Sequence, residues 1–326
     1  MSDRVLLIGG SGFIGTHLCS MLRERGYHPV VFDRVAPART DLEFHQGDMS
    51  SVADLWPELL ESVSTVFHLA WTTKPQAAND APLYDLQTNV LASVHLLDGI
   101  VRLARRPKLL FMSTGGALYG SSREDLIAED HATFPINAYG VSKLAFEHYL
   151  RLYRHLHGLE YVVFRPSNPY GEFQDPLGAQ GAVAVFLGRI AEGAEITIWG
   201  DGSVVRDYLY VGDLIGALVA GMERPLREAE PRVFNIGSGR GTSLLQLIEM
   251  MERVTGRKAR IRFTPGRKAD APRVVLNVPR CRIERLPDPL QIGSPVRRWR
   301  RRPTGHADHR RSLRARLGAH DRARPR

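Results

Sequence analysis

A short apolar run, Val5 to Ile8, leads into Gly9-Gly10-Ser11-Gly12-Phe13-Ile14-Gly15 and then into residues 13–25, where Ile14, Leu18, Met21 and Leu22 recur at helical spacing. A strand that turns through glycines into a helix leaves few folds open. Glycines at 9, 12 and 15 allow a sharp turn, a close backbone approach to a ligand and tight helix packing, while the free N–H groups at the helix start attract an anion. The alternation continues along the chain. Val30–Phe32, Val66–Leu69, Leu109–Met112 and Tyr161–Phe164 have the composition of buried parallel strands, and residues 83–104 and 140–156 carry helical patterns. These features predict an α/β fold, a Rossmann-type doubly wound parallel sheet over residues 1–165. After Arg165-Pro166 the pattern loosens through 182–192, 196–199, 209–222 and 243–255, which predicts a smaller α/β substrate-binding lobe over residues 166–280.

Composition bounds the partners. The chain has 326 residues and 43% apolar content, enough to fill such a core, and no stretch approaches the roughly 18 apolar residues of a membrane span. Cys19 and Cys281 stand in no metal-ligand or redox spacing, so neither a disulfide framework nor a metal site is expected, and a cytoplasmic setting fits. The formal charge of +9 is unevenly placed: residues 281–326 hold 14 Arg, no Lys and 4 acidic residues, leaving 30 basic and 31 acidic residues in 1–280. The body therefore offers no charge excess for nucleic acid or a membrane surface. The tail, with Arg297-Arg298-Trp299-Arg300-Arg301-Arg302, has no apolar periodicity; it is expected to be disordered, as the product of a GC-rich gene read out of frame would be. A genuine basic arm for nucleic acid or anionic lipid is the rival reading.

Asp33 follows Gly15 by 18 residues at the end of the second strand, where a carboxylate accepts hydrogen bonds from an adenosine ribose and repels a 2′-phosphate. NAD is favoured over NADP, although Arg34 beside it is a residue type that can accommodate the phosphate. Asp48, in Gly47-Asp48-Met49, is placed either to contact adenine or to close a turn. Tyr139 and Lys143 lie at i and i+4 of a predicted helix and share a face, where an ammonium would favour the phenolate and make the tyrosine a usable base. Ser113-Thr114 ends a strand at the sheet edge where such folds bind ligands.

Taken with His68-Leu69-Ala70, Ser113-Thr114-Gly115-Gly116-Ala117-Leu118-Tyr119-Gly120, Arg165-Pro166-Ser167-Asn168-Pro169-Tyr170-Gly171 and Arg206-Asp207-Tyr208, these motifs resemble the NAD-dependent epimerase/dehydratase family, a group of extended short-chain dehydrogenases/reductases. The resemblance runs from residue 4 to about 280 and is strongest to the UDP-glucose 4-epimerase group. It implies that Tyr139 removes the sugar 4-hydroxyl proton, that Lys143 holds the nicotinamide ribose, and that Thr114, or else Ser113, bonds the 4-oxygen. It further implies a cofactor path along Gly9, Gly12, Phe13, Ile14, Gly15, Asp33, Asp48, Met49, Leu69, Ala70, Asn89, Ser113 and Pro166. Asn168, Arg206, Arg267 and Asp270 would hold the nucleotide part of the substrate, a UDP-hexose being the expected one, and Tyr119 and Tyr170 would be packing groups.

Gly115 and Gly116 supply neither the acid nor the base that the family's dehydratases place there, so the resemblance implies inversion at C4 through a 4-keto intermediate. A nucleotide-sugar 4-keto reductase or dehydratase and a non-catalytic NAD-binding regulatory protein are the alternatives. Trp71 stands where the family usually has a small residue, and either narrows the pocket, stacks on substrate or packs as a buried indole. A homodimer is expected because helices 83–104 and 140–156 are each apolar on more than one face.

Overall fold

The computed structural model describes residues 3–51, 56–178, 181–266 and 271–280. Arg267, Asp270 and the Arg-rich tail from residue 281 lie outside the described residues. The first half runs β1 (Arg4–Ile8), α1 (Phe13–Glu24), β2 (His28–Asp33), β3 (Glu43–Gln46), α2 (Trp56–Glu61), β4 (Thr65–His68), α3 (Pro75–Asp80), α4 (Pro82–Asp85), a π-helical turn (Leu86–Leu91), α5 (Ala92–Arg102), β5 (Lys108–Met112), α6 (Ala138–His157) and β6 (Tyr161–Pro166). The second half adds β7 (Asn168–Tyr170), α7 (Ala182–Glu192), β8 (Glu195–Trp199), β9 (Val205–Tyr210), α8 (Val211–Glu223), β10 (Val233–Ile236), β11 (Gly241–Ser243), α9 (Leu244–Thr255), β12 (Arg260–Thr264) and β13 (Arg273–Val274).

Seven parallel strands form the large sheet in the order β10-β6-β5-β4-β1-β2-β3. The order reverses direction between β1 and β4, and this switch point opens a crevice at the carboxyl ends of those strands. Strand alternation explains why the strand sequences are apolar throughout: Leu6 and Ile8 of β1 pack towards α5 and α6, whereas Val5 and Leu7 pack towards α1 and α8. Leu18 and Leu22 of α1 are fully buried, each contributing about 1.5–3 kcal/mol relative to exposure.

The chain returns to the large sheet after β7. Helix α8 packs with α1 on one face, and β10 pairs with β6 through Val233–Val163 to Ile236–Pro166. The remaining elements form two small sheets, one in which β9 pairs with β7, β11 and β13, the other pairing β8 with β12. Helices α7 and α9 cover them with Phe186, Ile190, Leu247, Ile248 and Met251. A capping box fixes the start of α9, where the Ser243 hydroxyl accepts from Gln246 N–H and the Gln246 side chain accepts from Ser243 N–H.

The helical pattern over 83–104 is not one α-helix. It consists of α4, the π-helical turn and α5, an extra residue per turn that a 3.6-residue pattern does not distinguish and that often marks a functional site.

Candidate active site

The glycine turn closes at the end of β1. Gly9 has φ +85, and a Cβ there would lie 2.6 Å from the Ala70 backbone nitrogen, so only glycine fits against the end of β4. A Cβ at Gly15 would lie 2.5 Å from the Gly10 carbonyl oxygen, which is why α1 can start flush against the turn. A Cβ on Gly12 would meet nothing nearer than the Gly9 oxygen at 3.5 Å, so the turn keeps open space at its outer glycine. Leu69 and Ala70 donate their N–H groups to the Ile8 carbonyl at 2.9 Å, binding β4 to the turn. Phe13 and Ile14 half-bury their side chains against the core beneath α1.

Asp33 ends β2 and accepts a 3.1 Å hydrogen bond from Ser11 N–H, with its other oxygen accepting from Val35 N–H at 3.3 Å. Each carboxylate oxygen retains a further lone pair, so this cradle can also take ribose hydroxyl donors and fits a dinucleotide. Asp48 accepts from the hydroxyl and N–H of Ser50 and pairs with Arg34 at 3.6 Å, while Met49 is buried in the core. Arg34 is thereby engaged with a carboxylate.

The start of α6 is pressed against the loop after β5. A Cβ on Gly140 would lie 2.5 Å from the Ala117 carbonyl oxygen, and Asn137 caps the helix by accepting from Gly140 N–H at 2.8 Å. This contact sets Tyr139 beside the loop that carries Ser113 and Thr114, and Gly115 N–H donates to the Pro166 carbonyl at 2.7 Å to hold that loop on β6. Thr114 is half-buried at the strand end, and Gly116 opens onto space, with Thr114 Oγ1 the nearest atom to a built Cβ at 3.9 Å. Tyr139 and Lys143 share one helix face, with Lys143 Nζ 5.7 Å from the Tyr139 ring centroid. Lys143 is buried and donates to the Met112 carbonyl at 2.6 Å.

The charge relation differs from the expectation. Burial pushes the Tyr139 phenol up, and Asp85 pushes it further, rather than Lys143 drawing it down. Burial lowers Lys143 to about 7, with Glu147 and Asp85 opposing that fall. In this arrangement the phenol keeps its proton at neutral pH and Lys143 sits near its own midpoint.

A match to the NAD dependent epimerase/dehydratase family spans residues 5–237. The chain belongs to that family. It is 33% identical over 294 residues to a UDP-glucose 4-epimerase of Mycolicibacterium smegmatis, covering 86% of this chain and 91% of the relative. It is also 34% identical over 292 residues to a dTDP-4-dehydro-6-deoxyglucose reductase of Escherichia coli, covering 86% and 90%. Among solved structures, the UDP-glucose 4-epimerase of Thermotoga maritima with UDP-glucose superposes with a TM-score of 0.79 at 34% identity, covering 85% of this chain and 90% of that one.

Around Thr114, Tyr139 and Lys143 this member of the epimerase/dehydratase family has buried polar clusters that sequence patterns did not single out. Asp85 is fully buried and accepts from the Thr73 and Ser142 hydroxyls and from Asn89 Nδ2 at 2.9 Å. Asn89, on the π-helical turn, uses its whole amide: Nδ2 also reaches Thr73 Oγ1, and Oδ1 accepts from Thr72 N–H and Oγ1. It acts on the crevice by fixing the Thr72–Thr73 segment. The Ser113 hydroxyl is turned away from the open side and donates to Glu147, which is ion-paired with Arg165. Arg165 in turn donates to the Tyr119 hydroxyl at 2.9 Å, and Tyr119 donates to Asn235 Oδ1 at 2.7 Å. Tyr119 is a packing group, as expected. His68 bonds Ser93 Oγ at 2.7 Å and burial lowers it to about 3, so it is neutral.

On the lobe side, Asn168 Nδ2 donates to the Asp207 carbonyl at 2.9 Å, and Arg206 donates to the Val205 and Ala271 carbonyls. Asp207 between them is a fully buried hub, accepting from Ser167 Oγ, from the N–H and hydroxyl of Ser238, and from the N–H groups of Gly239 and Leu276. Tyr170 packs against Tyr210. Among the described residues no group of His, Cys, Asp and Glu could hold a metal, and no helix is long and apolar enough to cross a membrane.

Proposed function

We propose that the protein inverts C4 of a UDP-hexose by transient oxidation and return of the same hydride. The observation that supports this most is the company of Thr114: a half-buried hydroxyl at the end of β5, with Tyr139 and Lys143 on the adjoining helix face and only glycines at 115 and 116. Elimination of water from the sugar would need an acid and a base beside that hydroxyl. The relatives named UDP-glucose 4-epimerase support the substrate class.

NAD, when bound, supplies the hydride acceptor and donor. The chain's residues supply its placement and the proton. Gly9, Gly12 and Gly15 with the N–H groups at the start of α1 would cradle the pyrophosphate, Asp33 would take the adenosine ribose, and Asp48, Met49, Leu69 and Ala70 would line its path. Thr114 bonds the sugar 4-oxygen and Tyr139 carries the proton on and off it. Lys143 would orient the nicotinamide ribose. On this reading residues 1–165 would hold the cofactor, and residues 166–280 would supply Asn168 and Arg206, with Arg267 and Asp270 as further candidates by sequence alone, to the nucleotide of the substrate.

The second reading is a 4-keto-sugar reductase, favoured by the Escherichia coli relative. An epimerase regenerates its dinucleotide each turnover and a reductase consumes it. Incubating the purified protein with a panel of UDP-sugars, and separately with a 4-keto sugar nucleotide and added NADH, separates them: C4 inversion of a UDP-sugar with no net change in free dinucleotide is expected, whereas stoichiometric NADH oxidation with the 4-keto sugar and no inversion would support the reductase. We also propose a cytoplasmic homodimer, since Val141, Tyr149, Leu152 and Leu156 leave an exposed apolar face on α6. Light scattering should give twice 36.5 kDa; a concentration-independent monomer would exclude the dimer.

A further inference from the structure

Lys143 is enclosed by rings. Its Nζ lies 4.0 Å from the centroid of the Trp71 ring and 4.7 Å from that of Phe111. Trp71 is itself set by its neighbours, 5.8 Å from Phe111, 6.2 Å from His68 and 6.5 Å from Tyr139 in an edge-to-face arrangement. A buried indole ordinarily places its N–H on an acceptor. Here Trp71 Nε1 is buried without a hydrogen-bond partner, while the ring face meets the ammonium. The position is therefore held by the face of the indole and not by its donor.

An ammonium taken out of water needs compensation from the groups around it. Those facing Lys143 are few. Met112 of β5 offers a carbonyl; Asp85 of α4 is shared among Thr73, Ser142 and Asn89; and Glu147 of α6 is committed to Arg165 of β6 and to Ser113. His68 of β4 is neutral, and Tyr139 holds its proton. The negative face of an aromatic ring at this distance is a direct counterpart for the charge.

We propose that Trp71 is a positioning residue whose indole face holds the Lys143 ammonium against the Met112 carbonyl, on the helix face that carries Tyr139. The inference rests on the reading of Lys143 and Tyr139 as reacting groups, but its physical content is a property of the free protein. With the ring face weakened, the charged form loses support and Lys143 releases its proton at lower pH.

The test titrates Lys143 directly. Lysine labelled with carbon-13 at Cε is followed by NMR in the free protein, the Lys143 signal being assigned by its loss in Lys143→Met. Three changes are compared with wild type: Trp71→Leu, which keeps bulk without a π face; Trp71→Phe, which keeps a smaller face; and a tetrafluorinated tryptophan at position 71, which keeps the shape and drains the face. The Lys143 midpoint should fall by about half a pH unit or more in Trp71→Leu and with the fluorinated ring, and by less in Trp71→Phe. The alkaline limb of the turnover profile with UDP-glucose should move in step. An unchanged midpoint with the fluorinated ring, which leaves packing intact, overturns the proposal even if Trp71→Leu fails to fold. If the midpoint moves while no variant and not even wild type inverts C4, the positioning role stands and the epimerase reading falls.

Discussion

Glu147 on α6 and Arg165 on β6 meet at 2.6 Å between Oε2 and Nη2, with 6% and 7% of their side chains exposed. The pair joins the helix of Tyr139 and Lys143 to the strand that backs Thr114, and it anchors Ser113 and Tyr119 as well. Removing one charge from such a pair leaves the other buried and uncompensated, at a cost of about 3–5 kcal/mol. Glu147→Gln should lower the unfolding free energy in urea by that order, and Ser113→Ala by about 1.5–3 kcal/mol, the worth of one hydrogen bond to a charged group. A Glu147→Gln protein as stable as wild type would show that the pair does not hold the site together.

Gly115 has no room for a side chain. A Cβ there would lie 2.5 Å from Leu276 Cδ1 and 3.0 Å from the Arg165 carbonyl oxygen, and Leu276 is fully buried. Gly115→Ser should cost about 1–3 kcal/mol through overpacking. Adding Leu276→Ala makes room on the side chain's side, so in a double-mutant cycle the two changes should cost less together than their sum. Simple additivity would mean that the clash is relieved elsewhere.

Lys143 links stability to pH. Its folded value of about 7 lies below the ordinary lysine value of 10.5. Above about 7 the unfolded chain therefore binds a proton that the folded chain has released, and stability rises with pH. Below that value both states hold the proton and the contribution is flat. Between pH 6 and 8.5, wild type should gain stability relative to Lys143→Met, as read from urea midpoints at fixed salt. The difference between the two proteins is what matters, because Cys19, pushed up from 9.0 to about 12 by burial, acts in the opposite sense above its unfolded value and does so equally in both. Parallel pH dependences for the two proteins would refute the low lysine value.

Much of the large sheet could be read in advance because its strands and helices carry local signals: an apolar run, a glycine turn, a 3.6-residue stripe. Gly9 and Gly15 fell where the turn needs them, and Tyr139 and Lys143 share the face that their spacing predicted. Long-range closure was not legible. Nothing local tells β10 to pair with β6 some 70 residues earlier, or α8 to join α1 on the large sheet. Glu147 and Asp85 were missed for a related reason, since a carboxylate on a helix looks solvated until its partners arrive from other elements. Each stands four residues from a singled-out residue, Lys143 and Asn89, and that spacing was the available clue. The raised Tyr139 phenol escaped because spacing reports proximity to Lys143 but not burial.

Tyr139→Phe removes the proposed proton carrier and little else. NAD binding should remain near wild type, and turnover should fall by at least about 10²-fold, the lower end of a positioned acid or base. Both are measured on one preparation. Turnover within a few-fold of wild type would assign the proton to another group.

The central claim is that the hydride leaves C4 and returns to it. UDP-glucose carrying deuterium at C4 tests this directly, with NMR of the product formed in ordinary water. The account predicts UDP-galactose that retains the deuterium at C4, with no free NADH accumulated or consumed. Loss of the deuterium to solvent, its appearance in free dinucleotide, or turnover only when NADH is supplied would contradict it.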